Sequence, residues 1–118
     1  MITEFIVEEI TDTIIVRVQL ERATLSKATL FRETIEKLID SGKRKLIIDC
    51  RNISFMDSTF LGSMVVSLKK MNALNGNFTI VFSEKSSLVL TMLESTKMIK
   101  IFTIFYSLED ALNSLDTK

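Results

Sequence analysis

Residues 46–62 read Leu46-Ile47-Ile48-Asp49-Cys50-Arg51-Asn52-Ile53-Ser54-Phe55-Met56-Asp57-Ser58-Thr59-Phe60-Leu61-Gly62. The stretch opens on a continuous apolar run closed by an acid. That is the pattern of a short strand covered on both faces, as happens when helices flank a mostly parallel sheet. Further on, Asp57 stands just before Leu61, Met64, Val65, Leu68 and Met71, an apolar stripe at helical spacing that runs to Asn75-Gly76. A short acidic side chain in that place suits an N-cap. Strand, loop and capped helix in this order form the repeating unit of an α/β fold.

The rest of the chain extends the alternation. Upstream, Phe5 to Glu9 and Thr13 to Leu20 are β-branched runs around Thr11-Asp12, an antiparallel hairpin. From Ser26, Ala28, Phe31, Ile35 and Leu38 recur at helical spacing, and Gly42 stands where a helix ends in the left-handed conformation. Downstream come a strand at Phe78 to Phe82, a helix from Ser86 to about Thr96, a strand at Ile101 to Tyr106 and a helix from Ser107 to Leu115. The expected fold is one α/β domain over residues 1–118. It has a mixed, mostly parallel sheet of about five strands flanked by about four helices.

Composition narrows what such a domain does. Acidic and basic residues number 15 each and are interspersed, so no basic footprint points to nucleic acid. Charged residues interrupt every long apolar run, so direct membrane insertion is not expected. The first residues lack the basic and apolar regions of a secretory signal, and Cys50 has no cysteine to pair with, which point to a reducing cytoplasm. The chain holds no histidine. Zinc sites and histidine-based triads are thereby excluded, no cofactor is expected, and any catalysis would have to run on carboxylates, lysine or serine.

Ligands and partners of open α/β sheets gather beyond the carboxyl ends of the strands, where residues 52–62 lie. With Asp57 as cap, Ser58 takes the first helical position beside unpaired amides, its hydroxyl facing solvent. A phosphate there adds about −1.5 to −2 charges at the positive end of a helix, which the fold tolerates. A partner packed on that surface meets a new hydrated charge next to Asp57, and repulsion with desolvation opposes docking. On helix statistics alone, a serine at this position is simply a frequent helix-start residue.

The run Leu46-Ile47-Ile48-Asp49 through Phe55-Met56-Asp57-Ser58-Thr59-Phe60-Leu61-Gly62 resembles the signature of STAS domains, the anti-sigma factor antagonist family, and the element order matches as well. The resemblance implies that Ser58 is the serine a cognate anti-sigma factor phosphorylates, and that Asp57 is its acidic neighbour on the partner surface. The partner it implies is a serine kinase of histidine-kinase-type ATPase fold. The unphosphorylated protein would bind that anti-sigma factor and release a sigma factor, phosphorylation would end the binding, and a PP2C-type phosphatase would reset it. In that reading the domain is a substrate and a ligand, not an enzyme. Thr59 is a weaker candidate for the same role. Two positions depart from the family pattern. Phe60 stands where the family usually has glycine, and Leu20-Glu21-Arg22-Ala23-Thr24 keeps only Glu21 of a turn that helps form the partner surface.

Other readings compete. Phe60, Met64, Ser67 and Met71 lie along one edge of the second helix, where core packing against the sheet is the default reading. Met64 and Met71 are expected in the core, whereas Phe60, furthest round toward the polar face, is open between the core and a semi-exposed anchor on the partner surface. An accessory STAS subunit of a transporter or signalling assembly, never phosphorylated, is the alternative that Phe60 supports. A nucleotide-binding module lacks a glycine-rich phosphate loop. Asp49 resembles the phosphoacceptor of receiver domains, but no acidic pair accompanies it to hold magnesium, and it is expected to cap its own loop through backbone amides. Cys50 reads as a small buried residue.

Overall fold

In the computed structural model, which describes residues 4–116, the apolar runs pair as a five-stranded sheet. Its strands are β1 (Phe5–Ile10), β2 (Thr13–Val18), β4 (Lys45–Asp49), β6 (Asn77–Val81) and β7 (Thr103–Phe105), in the order β1-β2-β4-β6-β7. The β1–β2 pair is antiparallel, with Phe5 opposite Val18 and Ile10 opposite Thr13. The other pairings are parallel, with Ile47 between Ile15 and Thr79. The mixed, mostly parallel sheet and the four helices are those the sequence predicts.

Alternation along the strands sends side chains to two faces of unequal depth. Ile14, Val16, Val18, Leu46, Ile48 and Ile80 enter the main core under α1 (Leu25–Asp40), α2 (Ser58–Ala73) and α3 (Ser87–Ser95). Ile15, Ile47 and Val81 point the other way and meet a single helix, α4 (Leu108–Asp116), through Ala111, Leu108 and Leu112. β4 is apolar on both sides for this reason: Leu46, Ile47 and Ile48 all have 0% exposure. In α1 the deep positions are Ala28, Phe31, Ile35 and Ile39, while Leu38, read as core from the pattern, is half-buried. Gly42 takes φ +95° after this helix, the left-handed cap expected of it.

Two strands lie below the resolution of sequence periodicity. β3 (Arg22–Ala23) and β5 (Phe55–Met56) form a separate two-residue parallel ladder, Arg22 opposite Phe55 and Ala23 opposite Met56. Ala23 and Met56 turn into the core, and Arg22 and Phe55 turn out, with the Arg22 guanidinium 4.2 Å from the centre of the Phe55 ring. The ladder leads each chain segment directly into α1 and α2, so the two helices start side by side.

At the opposite end of the sheet, Gly76 lets α2 turn tightly into β6. A Cβ there would lie 2.6 Å from Met71 Cε and 3.0 Å from the Arg44 carbonyl oxygen, the same oxygen that accepts from the Asn77 N–H. The methyl of Met71 can swing aside, but the carbonyl is fixed by the β4–β6 junction. Gly76→Ala is expected to destabilise the fold by about 1–3 kcal/mol, the usual cost of overpacking. Urea unfolding with an unchanged m-value would measure it, and a variant as stable as the parent would show that the junction yields freely.

Candidate functional site

Asp57 does more than cap its own helix. Its Oδ1 accepts from the Phe60 N–H at 2.9 Å, the N-cap bond of α2. Its Oδ2 accepts from the Leu25 N–H at 2.8 Å, the first amide of α1. The formal N-cap of α1, Thr24, makes no side-chain cap bond. One carboxylate therefore satisfies orphan amides of two helices and places one negative charge between two positive helix ends. The second bond spans 32 residues of chain.

The surrounding backbone is held from the β3 segment. The Glu21 carbonyl accepts from the Ser54 and Phe55 N–H groups at 2.8 and 3.1 Å, and the Ala23 carbonyl accepts from the Asp57 N–H at 3.1 Å. Glu21, expected on the partner surface, thus lies beside the Ser58 loop with its side chain exposed. Ser58 and Thr59 are exposed at the first two positions of α2, as expected, and Asp57 is half-buried. Neither helix cap uses the Ser58 hydroxyl. Leu25, 66% exposed, and Phe55, 36% exposed, add apolar surface to the same end of the molecule. Neither was singled out from the sequence, and the two-residue ladder that places them gives no periodic signal.

Phe60 is the correction. It has 0% exposure and packs against Phe31 of α1, ring centres 5.0 Å apart and planes at 42°. Phe31 in turn lies 5.7 Å from Phe5. Phe60 is therefore a core residue and not a semi-exposed anchor. The flank of α2 that looks polar in sequence, Ser63 and Ser67, is also buried. These small side chains line the side facing α1, between the Phe31–Phe60 contact and the Lys70–Glu36 ion pair farther along the two helices. Met64 and Met71 are in the core, as expected.

Asp49 does bind the amide of its own loop, the Arg51 N–H at 3.2 Å, but its main partner is the Arg51 guanidinium, held through Nε at 2.9 Å and Nη2 at 2.8 Å. That hydrogen-bonded pair, together with the charge of Asp49, favours the protonated guanidinium against the cost of partial burial. Cys50 has 0% exposure, and burial, reinforced by the Asp49 charge, pushes its thiol pKa well up, so it is no nucleophile.

Removing the Asp57 carboxylate is expected to cost about 2 kcal/mol, roughly 1 kcal/mol for each helix start. Asp57→Asn, with one acceptor oxygen in place of two, is expected to lose about half as much. Chemical unfolding of both variants checks the order, and equal losses would show that one of the two bonds carries no weight. Phe60→Ala is expected to destabilise by about 3–5 kcal/mol, as a buried aromatic truncation does, and thermal unfolding would record it.

The family model of the STAS domain matches residues 4–111. Among solved structures, an anti-sigma factor antagonist from Mycobacterium paratuberculosis superposes with a TM-score of 0.83 at 20% identity, covering 96% of this chain and 93% of that one. A putative anti-sigma factor antagonist from Thermotoga maritima gives 0.79 at 19% identity, over 96% and 95%. The Bacillus cell fate determinant SpoIIAA, in its phosphorylated form, gives 0.72 at 18% identity, over 94% and 98%. At these identities the likeness is one of fold. With the family model spanning nearly the whole chain and the Asp57-Ser58 helix start in place, the chain belongs to the STAS domain family.

Proposed function

We propose that this protein is a cytoplasmic anti-sigma factor antagonist. Unphosphorylated, it binds an anti-sigma factor that is a serine kinase of histidine-kinase-type ATPase fold, so that a sigma factor is released. Phosphorylation of Ser58 ends that binding, and a PP2C-type phosphatase restores it. The observation that carries the reading is the placement of Ser58. It is an exposed first residue of a 16-residue helix, next to a carboxylate already bound to two helix starts. A phosphate added there meets the positive end of α2 without displacing a cap, so the folded state accommodates the charge while the surface gains negative charge and hydration.

The rest of the surface supports the same reading. Asp57, Thr59 and the exposed side chain of Glu21 flank Ser58 on one end of the sheet, where a partner would touch all of them. Phe60 takes no part in that contact, because its ring is in the core. The substitution of phenylalanine for the family glycine therefore leaves the Ser58 surface unobstructed, and the ground it offered for an accessory transporter subunit falls away. The likeness in fold to a protein known in a phosphorylated form agrees with a fold that accepts the modification. In this reading the domain catalyses nothing itself.

The test uses the kinase-type anti-sigma factor encoded nearest to this gene. With ATP it is expected to place one phosphate on the chain, located at Ser58 by mass spectrometry and absent from Ser58→Ala. In calorimetry, Ser58→Ala is expected to bind it like the parent, and Ser58→Asp at least about tenfold more weakly, since like-charge repulsion and desolvation exceed about 1.4 kcal/mol. Equal binding by the two variants would remove the switch.

A further inference from the structure

A second polar feature lies on the other face of the sheet. At the carboxyl ends of β2 and β4 a cleft of about 240 Å3 opens between Arg17, Gln19, Asp49, Arg51 and Asn52. Arg17 and Asp49 are direct neighbours across the parallel ladder and share the face of Ile15 and Ile47, which α4 covers farther along the strands. The side chain of Asp49 is only 8% exposed, and it grips Arg51 by two hydrogen bonds. A buried carboxylate of this kind fixes the guanidinium in one orientation before any ligand arrives.

A guanidinium has five N–H donors, so the Asp49 pair leaves three of Arg51 uncommitted to it. Across the cleft, Arg17 gives one Nη2 donor to Glu8 at 2.8 Å, and both side chains of that pair are partly exposed. Such a surface pair contributes little, so Arg17 can turn toward a competing anion at small cost. Asn52 and Gln19 add neutral amides at the rim. The cleft is smaller than the roughly 300–1,000 Å3 of pockets that enclose drug-sized ligands, so its contents are ionic and compact.

We propose that this cleft is a binding site for a phosphate-sized oxyanion, gripped between Arg17 and the Asp49-oriented Arg51, with Asn52 and Gln19 as neutral donors. The two arginines face two carboxylates, Glu8 and Asp49, so affinity comes from aimed donors and not from net charge. The expected dissociation constant is on the order of 1 mM. The site is independent of the Ser58 switch and stands or falls without it, although Arg51 and Asn52 belong to the loop that ends at Ser58.

The test is a two-dimensional amide NMR titration of the full chain at constant ionic strength, with inorganic phosphate in one arm and ATP in the other. Phosphate is expected to give saturable shifts at residues 17–19 and 49–52. Arg17→Gln is expected to weaken binding about tenfold, the worth of one charge-assisted contact, and Asn52→Ala about threefold. Lys43→Gln removes an equal charge at the amino end of β4, where Lys43 pairs with Glu9, and is expected to leave the affinity unchanged. Shifts that never saturate, or equal weakening by Lys43→Gln, would reduce the effect to general ion screening and overturn the site. ATP affinity within a few-fold of phosphate supports recognition of the phosphate group alone, and ATP binding more than about a hundredfold tighter would replace the oxyanion site with a nucleotide site.

Discussion

The fold of this chain is organised around a carboxylate shared by two helix starts. An α-helix exposes several unsatisfied amides at its first turn, and two helices starting side by side bring two such sets together. Asp57 accepts from both, at 2.9 and 2.8 Å. The bond to Leu25 fixes where α1 begins, the bond to Phe60 fixes where α2 begins, and the β3–β5 ladder that precedes them holds the shared start in register. Helix packing follows from that start. Phe31 meets Phe60 just inside the two N-termini, and farther along Glu36 and Lys70 close the same seam. Without a common origin, the narrow serine flank of α2 would face α1 at no particular place.

How much of this is legible in the sequence depends on the range of the interaction. The strands and helices are, because each is written in a local period: Leu46 to Ile48 as an apolar run, Phe31 and Ile35 as turns of one stripe. The Asp57–Phe60 cap is legible for the same reason, being three residues long. The Leu25 bond is not, since no local pattern relates residues 32 positions apart. The two-residue strands are too short to show alternation. Phe60 is the instructive failure. Hydrophobicity places the buried face of α2 around Leu61, Met64 and Leu68, with Phe60 at its margin. Burial of Ser63 and Ser67 widens that face toward α1, and Phe60 then lies within it. Serine adds nothing to a hydrophobic stripe, whereas in the fold its size is what matters, because a small side chain lets two helices approach.

The carboxyl end of the sheet carries different chemistry on its two faces. Three helices cover one face and a single helix the other, so the loop from Cys50 to Asp57 passes from a sparsely covered side to a crowded one. At its beginning Asp49 fixes Arg51, and at its end Asp57 fixes two helices. In between, Ser83 Oγ donates to the Arg51 carbonyl, Ser86 Oγ donates to the Cys50 carbonyl, and the Glu21 carbonyl accepts from two amides. Most backbone N–H groups of this loop have partners within the fold, which ties it down despite its irregular path. Groups displayed along it hold their geometry, a requirement for recognising either an anion or a partner surface.

Rigidity bears on the kind of switch such a surface can support. A phosphoserine often acts by ordering or melting the segment that carries it. Here the segment is already ordered, and the carboxylate that would compete for a new phosphate's donors is bound to amides of two different helices. Displacing it would release both helix starts together, which disfavours a rearranged state. A phosphate on Ser58, as proposed, would be left with the amides of its own first turn and with solvent. Its effect is then confined to the outer surface, where added charge and its hydration shell are felt by whatever packs against Leu25, Phe55 and Glu21. In the proposed switch, the carboxylate that organises the fold is also what would let a charge on the neighbouring serine change binding and leave the fold as it is.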